Sequence, residues 1–185
     1  MLTVEVVAHM DAGDRAMWRG EQNLRPLSDL GESQAKRFSE VVAAAPIDAL
    51  VSSPAQRCQQ TLQPLADAIG TSIRTLTDLR ETGGFAPPSG WAGYMLPSDG
   101  PAGGAYAAGR LTHALEEIRG ALPEGRIVLC THGDIVPAYI AFVTGAHGLD
   151  LPPLPAQRGY WYTLEIESDG SMAARLNGPI ADFPL

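Results

Sequence analysis

Short apolar runs alternate with amphipathic stretches along this chain, and the two periods predict its elements. Residues 3–9 carry Val4, Val6, Val7 and Ala8 and read as a buried central strand. A polar, Gly-containing loop follows as far as Leu27. Ser28 then reads as an N-cap, with Asp29 and Glu32 in a first turn where the helix dipole favours carboxylates. Leu30, Gln34, Phe38, Val41, Val42 and Ala45 mark one face of that helix, and Pro46 stops it. A short strand is expected over 49–51. Ser53 is then expected to cap a second helix, with Pro54 at its first position, a stripe at Cys58, Leu62, Leu65, Ala66 and Ile69, and Gly70 at its end.

The second half repeats the alternation. Residues 72–76 read as a further strand, 126–131 as a strong one, and 160–166 with 172–176 as a terminal hairpin around Asp169-Gly170. Helices are expected over about 106–122, with Leu111, Leu115 and Ile118 on one side, and over 134–143. From Thr82 to Gly109 the periodicity disappears, and Gly, Pro and Ser dominate around Trp91, Tyr94 and Tyr106. A stretch of this kind is either disordered or an ordered lid over a site, and its aromatics favour the lid. Strands alternating with helices predict an α/β fold, a three-layer α/β/α sandwich on a mostly parallel sheet. The length suits one domain, 1–185, with 82–109 as a lid that sets specificity.

The formal net charge of -8 makes nucleic acid and anionic membrane surfaces poor partners. No apolar run is long enough to span a bilayer, and the start of the chain lacks the charge and hydropathy pattern of a secretory signal. Cys58 and Cys130 lie in apolar patterns, as buried thiols do in a reducing compartment. A cytoplasmic location is therefore expected. No Cys/His spacing suggests zinc, and neither metal nor cofactor is expected.

The candidate chemistry sits where three strands end. His9 closes the first, His132 closes the strand at 127–131, and Arg57 follows Ser52-Ser53-Pro54 after the strand at 49–51. An open α/β sheet gathers an anion site at such carboxyl ends. Arg57 is expected in the first turn of its helix, where the dipole disfavours a cation by about 0.3–1 kcal/mol. That cost disappears if the guanidinium and the helix terminus share a bound anion; otherwise Arg57 is solvated or paired with a carboxylate. His113 and His147 lie in helix and loop contexts and read as surface residues.

These motifs, in order, resemble the histidine phosphatase superfamily, the phosphoglycerate mutase-like clan. The resemblance rests on His9, on Arg25-Pro26-Leu27-Ser28 with Gly31 and Gln34-Ala35, and on residues 52–61 around Arg57. It continues through Leu79-Arg80-Glu81 and Thr131-His132-Gly133-Asp134, and so covers nearly the whole chain. It implies a phosphoglycerate mutase-like fold and a phosphatase acting on a small phosphomonoester. His9 then corresponds to the nucleophile that becomes phosphohistidine. Arg57 corresponds to a bidentate phosphate clamp and His132 to a second phosphate donor. Glu81 corresponds to the acid that protonates the leaving group, and for that it needs burial or neighbouring negative charge.

The family's first motif reads Arg-His-Gly or Arg-His-Ala, whereas this chain reads Ala8-His9-Met10. Loss of one charge-assisted hydrogen bond costs about ten- to a hundredfold in transition-state binding. Arg15, Arg19 and Arg25 follow in the next loop, and Arg15 is the expected phosphate-binding replacement. The alternative is that all three are loop charges paired with Asp11, Asp14 or Glu21. Met10 is expected on the pocket floor, or as core filler beside it. Trp91 and Tyr94 either wall the leaving-group pocket or pack the lid. Little positive charge lies in that stretch, which favours a monoester with a neutral or apolar body. The alternative function is a catalytically degenerate protein that binds a phosphorylated ligand or partner without turnover, and Ala8 is its basis.

Overall fold

In the computed structural model the described residues are 1–82, 101–153 and 158–180. The alternating runs become strands β1 (Leu2–Ala8), β2 (Ala49–Ser52), β3 (Ile73–Thr75), β4 (Gly125–Thr131), β5 (Trp161–Ile166) and β6 (Met172–Asn177). They form one sheet in the order β3-β2-β4-β1-β5-β6. The first four are mutually parallel, and β5 and β6 extend the sheet as an antiparallel hairpin beside β1. Helices α1 (Asp29–Val42), α2 (Gln56–Ile69), α3 (Pro101–Ala121) and α4 (Ile135–His147) complete the α/β architecture.

Period-2 alternation divides the core into the two sides of this sheet. Ile127 and Leu129 of β4 join Val4 and Val6 of β1 against Leu111, Leu115 and Ile140. Val128 and Cys130 join Val7 against Phe38, Leu62 and Leu65. Thus α3 and α4 cover one face and α1 and α2 the other. Each fully buried Leu, Ile or Val contributes about 1.5–3 kcal/mol, so these stripes fix the layering. Cys58 and Cys130 are buried free thiols.

Several boundaries differ from expectation, and α4, expected over 134–143, runs on to His147. α1 is capped by Ser28 as predicted, its Oγ accepting from Gly31 N at 3.1 Å, but the helix ends at Val42, before Ala45. α2 starts at Gln56 with Ala55 at the cap, so neither Ser53 nor Pro54 opens it. α3 starts at Pro101, and residues 101–109 of the expected lid are therefore helical. Proline tolerates a first-turn position, and the alanines at 102, 105, 107 and 108 offset the glycines among them.

Near the middle of β1, Glu5 forms a closed polar cluster. Its carboxylate accepts from Arg126 Nε at 3.1 Å and the second terminal nitrogen at 2.9 Å, from Trp161 Nε1 at 3.0 Å and from Thr163 Oγ1 at 2.7 Å. Arg126 also donates to the Val42 and Ala45 carbonyls, which ties the end of α1 to the sheet. Among the described residues, no helix is long and apolar enough to cross a membrane.

Candidate active site

The site is set by strand register. Ala8 of β1 pairs with Thr131 of β4, so His9 and His132 emerge side by side. The ladder runs one residue further, His9 N donating to the Thr131 carbonyl at 2.9 Å and Ser53 N to that of Cys130 at 2.9 Å. The two imidazoles meet edge to face, with ring centroids 5.5 Å apart. Arg57, in the first turn of α2, reaches the same place and is only 1% exposed. Gly31 lets α1 approach: a Cβ there would lie 1.9 Å from the Asp11 carbonyl, in the loop after His9.

His9 is prepared as a neutral base. Its Nδ1 lies 2.7 Å from the Met10 carbonyl, which can only accept, so Nδ1 holds the proton and Nε2 the lone pair. Burial, then the positive charge of Arg158, hold the ring pKa down to about 2. His132 and Arg57 push the same way, and the Met10 carbonyl opposes them.

His132 and Arg57 interlock beneath. A terminal nitrogen of Arg57 donates to His132 Nδ1 at 3.1 Å, which leaves Nε2–H to donate to Ser53 Oγ at 2.9 Å. Ser53, expected as a helix cap, is therefore a partner of this imidazole. Both nitrogens of His132 are engaged by protein groups, so no free N–H is presented to a ligand in this arrangement. Arg57 also donates to the Gln22 carbonyl at 2.6 Å and pairs with Glu81 at 3.2 Å. Its Nε is buried with no partner among the described residues, and Arg25 Nε is in the same condition.

A cavity of about 600 Å³ opens beside His9 and Ala8, and Arg15, Arg25, Glu81 and Arg158 lie on its wall. Arg15 is 56% exposed and pairs with Glu81 at 2.7 Å, not with the acids of its own loop. Arg25 is buried and donates to the carbonyls of Ala12 and Gly13. Burial first, then Arg57, lower its pKa. Arg19 is exposed and does not line the cavity. Glu81 lies between two guanidiniums, where the sequence argument expected burial or negative charge. Asp134 accepts from Thr82 N at 2.9 Å and Oγ1 at 2.6 Å, fastening the residue after Glu81 to the His132-Gly133 turn.

Met10 is corrected from the pocket to the core. It is fully buried among Val7, Leu27 and Phe38, because its amide is tied to Thr61 Oγ1 at 3.0 Å and its side chain turns inward. Trp91 and Tyr94 lie outside the described residues. His113 is on the surface, paired with Asp78. Among the described residues, no group of three or more His, Cys, Asp or Glu is placed to hold a metal ion.

Arg158 is the cavity residue that sequence reasoning missed. Gln157-Arg158-Gly159 carries no motif. The available signal is topological. β5 runs antiparallel to β1 with Val7 opposite Trp161, so residues just before Trp161 rise alongside the end of β1.

Comparison with known proteins bears on the fold and on part of the sequence. The sequence profile of the histidine phosphatase superfamily (branch 1) matches residues 12–85, the segment holding Arg15, Arg25, Arg57 and Glu81. Over that segment the chain is similar to the histidine phosphatase superfamily. An 8-oxo-(d)GTP phosphatase of Mycolicibacterium smegmatis is 28% identical over 138 residues, covering 75% of this chain. The chain spans about a third of that protein's length, 36%. Mycobacterial glucosyl-3-phosphoglycerate phosphatase has the same fold, with 24% identity, TM-score 0.69, and coverage of 95% of this chain and 96% of its own. Bacillus stearothermophilus YhfR shares it with 17% identity, TM-score 0.73, and coverage of 97% and 100%. The chain thus shares the α/β fold of these proteins, with Ala8 before its first histidine.

Proposed function

We propose that this chain is a phosphatase that hydrolyses a small phosphomonoester through a phosphohistidine on His9. The observation that carries the reading is the state of His9: a neutral ring with Nδ1–H held by a carbonyl, and a lone pair on Nε2 beside an arginine-rich cavity. The relatives named above are called phosphatases of 8-oxo-(d)GTP and of glucosyl-3-phosphoglycerate, both small phosphorylated molecules.

In the proposed reaction, Nε2 attacks phosphorus and the ester P–O bond breaks. Arg57 and neighbouring cations neutralise charge on the equatorial oxygens as the group transfers. Drawing Arg57 and Arg15 onto the phosphoryl group releases the Glu81 carboxylate from its two ion pairs, so that it takes up the proton of a monoanionic phosphomonoester and passes it to the leaving oxygen. Water then attacks phosphorus, the P–N bond breaks, and Glu81 takes the water's proton. His132 acts through Arg57 and Ser53, and reaches the phosphoryl group itself only if Arg57 moves off Nδ1.

The competing reading, ligand binding without turnover, rests on Ala8. Phosphate release from para-nitrophenyl phosphate and a panel of sugar and nucleotide phosphates separates the two. Release well above that of His9→Ala is expected. Release equal to that control, with phosphate still bound, favours the binding protein.

A further inference from the structure

We propose that Arg158 is the second guanidinium clamp on the transferred phosphoryl group, filling from the front of β5 the role that the family resemblance gives to position 8. This rests on the phosphatase reading of the same site. Three observations carry it. First, Arg158 and Ala8 both line the cavity beside His9, and the side chain of residue 8 ends after one carbon.

Second, Arg158 lies directly over the second histidine's turn. A Cβ on Gly133 would stand 3.2 and 3.4 Å from its two terminal nitrogens. Glycine at 133 therefore makes room for that guanidinium, one residue from His132 and across from His9.

Third, the group is poised for an anion it does not find in the protein. Among the described residues, no carboxylate lies within ion-pair distance of Arg158. Asp11, a nearby acid, is occupied by Ser28 Oγ and Gly13 N. Arg57, the other clamp, keeps a buried Nε–H without a partner. Two guanidiniums of this kind, flanking a neutral imidazole, suit the three equatorial oxygens of a phosphoryl group in transfer. Burial lowers the pKa of Arg158, as expected of a cation held from solvent without its counter-ion.

The test measures vanadate affinity and para-nitrophenyl phosphate turnover in wild type, Arg158→Met, Ala8→Arg and the double variant, with thermal unfolding of each. Methionine keeps the apolar stem and removes the fork. Arg158→Met is expected to weaken vanadate binding and kcat/KM by about ten- to a hundredfold. Adding Ala8→Arg should restore most of both, because the new guanidinium enters the same cavity. Vanadate binding that is unchanged in Arg158→Met overturns the proposal. So does an Ala8→Arg gain of equal size with and without Arg158, which marks the two positions as independent. Absence of vanadate binding by wild type overturns it as well. If Arg158→Met proves unstable, Gly133→Ala displaces the guanidinium without deleting it and must weaken vanadate binding, or the proposal fails. Should wild type bind vanadate yet turn over no faster than His9→Ala, the phosphatase reading falls while the affinities still decide Arg158.

Discussion

Two places along β1 treat buried charge in opposite ways. At Glu5, one carboxylate and one guanidinium satisfy each other, and every remaining donor or acceptor is taken by Trp161, Thr163 or a carbonyl of the α1 end. Four residues on, about 13 Å away, His9 borders a cavity lined by Arg15, Arg25 and Arg158 together with Asp11, Glu81 and Asp134, and Arg57 lies just below. Two guanidinium Nε–H groups there are buried without a partner among the described residues. A closed charge cluster fastens the sheet to a helix. An open one, with guanidinium donors left over, gives up stability in exchange for anion affinity. The contrast is sharper because the chain as a whole carries -8.

Breaking the closed cluster should produce the largest effect. Glu5→Ala leaves Arg126 uncompensated in the core and is expected to cost about 3–5 kcal/mol, roughly 10 °C in Tm, by calorimetry. Arg57→Ala should show the reverse balance. Its kcat/KM is expected to fall about a hundred- to a thousandfold in steady-state assays, with a smaller loss of Tm than Glu5→Ala. Supplying the missing anion sharpens the same comparison: inorganic phosphate at a hundred times its Kd should stabilise wild type by about 2.7 kcal/mol, or roughly 5–10 °C. Phosphate should leave the size of the Glu5→Ala defect unchanged.

Acidification gives the next effect. Below pH 6.5 the unfolded chain takes up a proton on His9 that the folded chain, with its ring held near 2, refuses. Stability contributed by this residue is therefore full above 6.5 and declines as pH falls toward 2, by roughly 2 kcal/mol at pH 5. Denaturant titrations across pH 5–7 should show that slope, and His9→Asn should lack it. Smallest of all, Met10→Leu keeps volume in the core and should cost less than about 1.5 kcal/mol with kcat/KM unaltered. A marked change in KM would return Met10 to the pocket wall.

What was legible in the residues follows from how local the cause is. β1, β4 and the Ser28 cap come from period and capping, both set within a few positions, and the strand ends brought His9, His132 and Arg57 together as expected. Ser53 does not cap α2, because its hydroxyl accepts from the Ala55 amide, before the helix begins, and from an imidazole 79 positions away. Met10 sits where alternation breaks down past the strand, and a tether to Thr61 decides its direction. Glu81 draws its partners from two separate segments. Arg158 is brought in by an antiparallel pairing between the first strand and the fifth, which no local pattern encodes.

The central claim is that a neutral His9 and the arginines around it form a cup for a phosphoryl group. A crystal structure with vanadate tests it most directly. The account predicts vanadium bonded to His9 Nε2, with the guanidiniums of Arg57 and Arg158 on its oxygens. Vanadate bound outside the cavity, with His9 Nε2 making no contact to it, would contradict the account.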